Sequence, residues 1–190
     1  GLWRLRPELV DVANAPTLYL HQPPRGLTNS AKTRAVVSYD LLREQGPALV
    51  PPFYSAHMDF VEDGLMVYAR DKDWGSAADA SYTNTGYPTM QGSEPRHNPT
   101  RKVFWTPVYQ DRQANAWMVS VIKPLDWHGQ GVGTVGHDVS VQTLLDTIAA
   151  SHDDEGTRLI VDADGNLIAH PHLRERIAAA DGHLQLANLN

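Results

Sequence analysis

The chain has 190 residues, no cysteine and a formal net charge of -6. That acidic balance provides no basic stripe to neutralise phosphates, which excludes nucleic acid as a partner. The missing thiols remove disulfides, cysteine nucleophiles and thiolate metal sites together, a pattern compatible with a periplasmic setting. The length admits one domain with a sizeable core or two small ones.

Residues 4 to 20 place Leu5, Leu9, Val12, Ala13 and Leu20 at near-helical spacing, with Pro7 tolerable in a first turn, and predict a helix. Pro23, Pro24 and Gly26 break it. Thr28, Asn29 and Ser30 are cap candidates for a second helix in which Val37, Leu41 and Leu42 share a face and Gly46-Pro47 marks the end. Residues 1–54 therefore form an expected N-terminal helical region.

From Tyr54 the period becomes that of a sheet. Ser55 to Phe60 and Leu65 to Arg70 flank Glu62-Asp63-Gly64, and Asp-Gly between apolar runs signals a hairpin. Residues 71 to 98 are rich in Asp, Ser, Gly, Asn and Pro, with Trp74, Tyr82, Tyr87 and Met90 scattered among them. A loop of that length in a compact domain is uncommon unless it has a function. Two readings stand, a ligand lid over the sheet or a structural loop anchored by its aromatics.

Residues 105 to 140 hold three β-branched and aromatic segments, parted by Asp111, Asn115, Gly129 and Gly131, and predict consecutive antiparallel strands. The alternation along Trp117 to Ile122 is apolar on both faces, so both are expected to be covered. Asp138 ends the last strand, where an unpaired buried charge is too costly to keep. Asp138 either caps the helix expected over Val141 to Ala150 or meets a cation. With Trp105 and Tyr109, it would suit a ligand bearing an amine, because aromatic faces attract a cation and a carboxylate neutralises it. Asp111 reads as part of an ordinary hairpin loop.

Residues 151 to 156 read as a charged link between two units. Beyond it, Asp162-Ala163-Asp164-Gly165-Asn166 lacks the distal ligands of a calcium loop and predicts a hairpin turn. Pro171 to Ala180 predicts a helix, after which the tail is too short to complete a sheet. His170-Pro171-His172 with His183, and His152-Asp153-Asp154, are the only histidine clusters, and neither has metal-ligand spacing. No nucleophile elbow, phosphate loop or dinucleotide fingerprint is present. No catalytic role, metal or cofactor is expected, nor does any run reach the roughly 18 apolar residues that span a bilayer.

The order Trp105-Thr106-Pro107-x-Tyr109-x-Asp111, a strand reaching Pro124, then Gly133-x-x-Gly136-x-Asp138-Val139-Ser140 before a helix resembles the membrane-distal module of double Cache sensor domains. Leu159 to Pro171 is similar to the opening hairpin of the membrane-proximal module. The resemblance spans roughly residues 50 to 175. It implies an α+β fold, with N-terminal helices, a PAS-like antiparallel sheet over residues 55–150 and a partial second PAS-like module over 151–190. It further implies a chain cut between two transmembrane helices, on the periplasmic or extracellular face of a bacterial inner membrane, that binds a small polar ligand and works as a homodimer within a full-length receptor. The expected output is a histidine kinase or diguanylate cyclase, ahead of a chemoreceptor.

Amino-acid-binding members of that family carry Arg-x-Trp-[Tyr/Phe], then a Tyr, then the Asp closing the last strand. Here Tyr109 and Asp138 match the later parts, and the Arg-x-Trp-Tyr element is missing. Arg101 is the nearest cation, readable as a bidentate partner for a ligand carboxylate or as a solvated strand edge. The expected ligand-binding set is Asp138, Tyr109, Trp105, Arg101, Tyr87, Tyr82 and Trp74, for an amine, an amino acid or a carboxylate. The competing expectation is a protein-interaction or dimerisation domain with no small ligand, presenting an apolar patch on its N-terminal helices.

Overall fold

The computed structural model describes residues 1–21, 23, 25–149 and 156–189. The chain divides into two compact units, Gly1–Phe104 with Val121–Asp138, and Trp105–Ser120 with Val139–Asn190. Strands in chain order are β1 (Leu2–Arg4), β2 (Thr17–His21), β3 (Ser55–Phe60), β4 (Gly64–Tyr68), β5 (Phe104–Trp105), β6 (Tyr109–Asp111), β7 (Ala116–Trp127), β8 (Gln130–Ser140), β9 (Ile160–Val161) and β10 (Leu167–Ala169). Helices are α1 (Asn29–Leu49), α2 (Trp74–Ala77), α3 (Pro88–Gln91), α4 (Val141–Ala149) and α5 (Arg174–Ala179).

In the first unit the strand order runs β1-β2-β4-β3-β8-β7. The β3–β4 hairpin closes through three residues, and the last, Asp63, takes a left-handed φ of 63° before Gly64. That is a residue type that tolerates the conformation at the position a three-residue hairpin needs. The β7–β8 turn places His128 and Gly129 both at positive φ, the conformation that matches strand twist in a two-residue hairpin.

The helix α1 covers one face of this sheet. Thr28 Oγ1 accepts the Ala31 N–H at 3.1 Å and caps it. Leu42 packs with Leu18, Leu20, Ala56, Phe60, Met66 and Tyr68. These strand residues alternate, so every second side chain of β2, β3 and β4 joins this core and the intervening ones face away from α1. Gly46 lies where a Cβ would fall 2.6 Å from the Tyr68 ring, so helix and sheet approach closely there. The helix runs two residues past the Gly46-Pro47 pair that was expected to end it.

Residues 4–20 do not form the expected helix. They hold a 3-10 turn, Pro7–Leu9, and then β2. Of the residues at near-helical spacing, Leu9 is exposed and Leu20 belongs to β2, where it is buried with Leu18 at period two. The β-type run Thr17-Leu18-Tyr19-Leu20 after Pro16 is the stronger local signal.

The second unit has its own core of Val108, Val119, Val141, Leu167, Ala169 and Ile177. In it β6 pairs with the start of β7, and β9 pairs antiparallel with β10. The turn between β9 and β10 is the expected hairpin, since Asp162 Oδ1 accepts the N–H groups of Asp164 and Asn166, each at 2.9 Å. The final helix is shorter than the expected Pro171 to Ala180. The link expected at 151 to 156 and the cluster His152-Asp153-Asp154 lie, but for Gly156, outside the described residues. Among those described, no helix is long and apolar enough to cross a membrane.

Candidate functional site

The face of the first unit turned away from α1 carries a buried polar stripe. Along β3 it consists of Ser55, His57 and Asp59, alternating with the core residues Ala56, Met58 and Phe60. Antiparallel register sets Asp138 opposite Ser55, Gly136 opposite His57 and Thr134 opposite Asp59 on β8. On the other side Leu65 stands opposite Asp59 and Tyr19 opposite Leu65. Asp59 and His57 are each 4 % exposed and Asp138 6 %, so the stripe is shut off from bulk solvent.

Its polar atoms are joined. The Ser55 hydroxyl donates to Asp138 Oδ2, and His57 Nδ1 lies 3.3 Å from the same oxygen. His57 Nε2 lies 3.6 Å from Asp59 Oδ2, which accepts the Thr134 hydroxyl at 2.8 Å. A Cβ on Gly136 would fall 3.0 Å from His57 Nε2 and 2.4 Å from Ile122 Cδ1, so the small residue makes room for the imidazole. Serine, histidine and aspartate are the components of a hydrolytic triad, but here the hydroxyl proton goes to the carboxylate. A nucleophile must instead be bonded to the base, and this arrangement does not activate Ser55.

Residues 73 to 87 cover the stripe. The Gly75 N–H donates to Thr17 Oγ1 at 2.9 Å, and a Cβ at Gly75 would strike the β2 backbone. The Tyr82 carbonyl meets His21 Nε2 at 2.7 Å while its ring sits edge-on to Tyr19 at 5.1 Å and 5.6 Å from the Tyr87 ring. Asp63 Oδ1 accepts both the Asn84 N–H at 2.9 Å and the Thr83 hydroxyl at 2.8 Å. Asn84 Nδ2 then donates to Asp59 Oδ1 at 3.0 Å and to the Gly64 carbonyl at 2.7 Å. Trp74 stacks on Tyr54, whose N–H donates to the Asp138 carbonyl at 2.8 Å. Burial, then the charges of Asp59 and Asp63, push the Tyr19 hydroxyl well above the ordinary tyrosine range, so it stays a neutral donor.

Asp138 does not cap α4. That task falls to Ser140, whose Oγ accepts the Thr143 N–H at 3.0 Å, and Asp138 faces His57 and Ser55 instead. Trp74, Tyr82 and Tyr87 lie in the covering segment of the same unit. Arg101 is engaged elsewhere, with Nε and Nη2 on the two oxygens of Asp126 at 2.9 and 2.8 Å and Nη1 on the Ser93 carbonyl. That bidentate pair draws on an internal carboxylate, and its hydrogen bonds hold Asp126 below the usual carboxylate range. Trp105 and Tyr109 belong to the second unit, Trp105 exposed and Tyr109 buried with its hydroxyl 2.8 Å from Ser120 Oγ. Asp111 accepts the Ala114 N–H at 2.7 Å, as a hairpin loop requires.

Ser55, His57, Asp59 and Asn84 were not singled out from the sequence. Their signal was present in the polar alternation Ser-x-His-x-Asp against Ala-x-Met-x-Phe. That pattern ordinarily marks a solvated face, and the aromatic covering segment is what makes it an interior one. Among the described residues no group of three His, Asp or Glu side chains is arranged to hold a metal ion.

A buried polar stripe on the sheet face is thus closed by a segment rich in aromatics. Residues 33–146 match the family described as methyl-accepting chemotaxis protein-like, first PDC sensor domain, and the chain belongs to that family. Among solved structures it is similar to the ligand-binding domain of the Pseudomonas fluorescens chemoreceptor CtaA in complex with L-serine. That likeness has a TM-score of 0.59 at 23% identity, covering 83% of this chain and 62% of that one. It is also similar to the ligand-binding domain of the Pseudomonas aeruginosa amino acid chemoreceptor PctB in complex with L-Arg, with a TM-score of 0.56 at 20% identity over 75% and 59% of the two chains. A third, the P. aeruginosa amino acid chemoreceptor PctC domain with GABA, gives a TM-score of 0.54 at 16% identity over 76% and 60%. The chain thus spans about three fifths of the length of these structures. No curated protein matches it.

Proposed function

We propose that the chain is the extracytoplasmic part of a transmembrane receptor and that it senses a small amine-bearing molecule held between the Asp138–His57 end of the stripe and the segment 73–87. The observation that supports this most is the burial of two carboxylates, Asp59 and Asp138, on one sheet face beneath Tyr82, Tyr87 and Trp74. Carboxylates in a dry site call for a cation, and aromatic rings beside them are suited to one. The amino acids and GABA named for the similar chemoreceptor domains all carry an amine. Those likenesses favour a chemoreceptor as the parent protein over a histidine kinase or diguanylate cyclase. Closure of the covering segment on the ligand is the differential contact that would bias the receptor between states, and about 1–3 kcal/mol of coupling suffices.

A thermal-shift screen of the chain against amines, amino acids and GABA tests this reading. A ligand that binds only the folded state raises the melting temperature. Stabilisation by an amine-bearing compound, lost in Asp138→Ala, is the expected result.

A second reading, association through protein contacts, has support in the exposed apolar side chains Val36, Val37 and Leu41 on α1. Sedimentation of the chain against an α1 variant with Val37→Glu and Leu41→Lys separates a dimer held by that stripe from a monomer.

A further inference from the structure

On the face of the sheet that meets α1, opposite the polar stripe, the first unit holds a cavity of about 490 Å³. Val37 of α1 stands on one wall, and Met58, Phe60, Leu125, Trp127 and Val132, from the ends of β3, β7 and β8, form the other. A concave space of about 300–1,000 Å³ lined mainly by apolar and aromatic side chains is the form that small-molecule sites take. Trp127 is 67 % exposed although it lies on this wall, so a molecule seated there would cover an indole that the protein leaves to solvent.

The charged groups that line the cavity are already engaged. Arg34 donates through Nη2 to Glu62 and through Nη1 to Ser30 Oγ at 2.9 Å. Asp126 accepts from Nε and Nη2 of Arg101 at 2.9 and 2.8 Å. Asp59 accepts from Asn84 on one oxygen and from Thr134 on the other. An ionic ligand would have to take a partner from one of these groups, whereas an uncharged molecule disturbs none of them. The same bonds hold the space open, because Arg34 ties its wall to the β3–β4 turn and Asp126 ties the other wall to Arg101. Thr33 and Ser38 add hydroxyls to the α1 wall, each able to donate or accept a hydrogen bond beside the apolar surface.

We infer that this cavity is a second binding site, separate from the stripe, for an uncharged and mainly apolar small molecule. Such a molecule touches α1 on one side and the β7–β8 hairpin on the other, so its binding bears on how the long helix is seated against the sheet. The inference does not depend on the amine ligand proposed for the opposite face.

N-phenyl-1-naphthylamine and 8-anilino-1-naphthalenesulfonate share one aromatic skeleton, differ by a sulfonate, and both brighten on leaving water. Titrating the 190-residue chain with each therefore isolates the charge. The expected result is saturable binding of the neutral probe at a single site per chain, about tenfold or more tighter than the sulfonate, with a raised melting temperature because the probe binds the folded chain. Trp127→Ala, at a largely exposed position, is expected to fold and to weaken the neutral probe about tenfold, the scale of a lost aromatic anchor. Absence of saturable binding overturns the inference, as does a sulfonate that binds equally well or a probe that lowers the melting temperature, and none of these outcomes needs a variant to fold. Unchanged affinity in Trp127→Ala overturns it by placing the probe elsewhere. Affinity that falls as the chain is concentrated into a range where sedimentation shows a dimer overturns it in favour of a second copy occupying the groove.

Discussion

Trp74 stacks on Tyr54 with ring centroids 5.5 Å apart and planes 22° from parallel, and Tyr54 in turn donates its N–H to the carbonyl of Asp138. One aromatic pair thus ties the start of the covering segment to the strand end that carries Asp138. Parallel stacking of this kind contributes about 0.5–1.5 kcal/mol beyond the area it buries.

Trp74→Ala is accordingly expected to loosen the segment without unfolding the sheet. Hydrogen exchange should quicken at the Gly75 and Asn84 amides, which bond to Thr17 and Asp63, while the strand amides of β3 and β4 keep their protection. Uniform loss of protection across both would mean that the segment is part of the global fold rather than a separable cover.

Gly136→Ala is expected to destabilise the chain by about 1–3 kcal/mol, the usual cost of overpacking. A Cβ there falls 2.4 Å from Ile122 Cδ1 and 2.8 Å from the Val121 carbonyl, and the nearby imidazole would have to move. Urea denaturation measures the loss. A change within a few tenths of a kcal/mol would show that the strand pair has slack that the geometry denies.

The expectations that held were those carried by strong local signals. Asp63-Gly64 marked its hairpin, the second and third segments between Trp105 and Ser140 became β7 and β8 while the first split into β5 and β6, and Thr28 caps the long helix. The failure at residues 4–20 has a physical cause. A short strand flanked by prolines can imitate helical spacing by accident, and its pairing with β1 and β4 decides the matter. Among the residues of the buried stripe, Asp138 was legible because a carboxylate closing an apolar strand needs an explanation. His57 and Asp59 were not, since alternating polar residues look solvated until a distant segment is known to lie on them. The pairing of Arg101 was hidden for a related reason. Its partner Asp126 is 25 positions away, on a strand whose register no local pattern reveals.

Stability should also depend on pH through two histidines. Burial first, and the neighbouring His57 second, hold His137 below the ordinary histidine value. His170 is lowered by burial and by His172. A histidine depressed in the folded state binds its proton more readily when unfolded, so its stabilisation is complete above the unfolded value near 6.5 and is lost as pH falls through the folded value. The melting temperature should therefore fall as pH is lowered from about 7 towards 5, and His137→Phe should flatten part of that slope. A slope unchanged in His137→Phe would assign the effect to other groups.

The most direct test of the account is the affinity of the unaltered chain and of Asp138→Asn for the best amine-bearing ligand from the thermal screen, measured by titration calorimetry at one pH and salt concentration. Asparagine preserves the shape of the side chain and removes its charge. If Asp138 faces the ligand's ammonium, the variant stays folded and binding weakens by about tenfold or more, the effect of losing a charged partner in a dry site. Equal affinity in the folded variant would contradict the account and would place the ligand away from this sheet face.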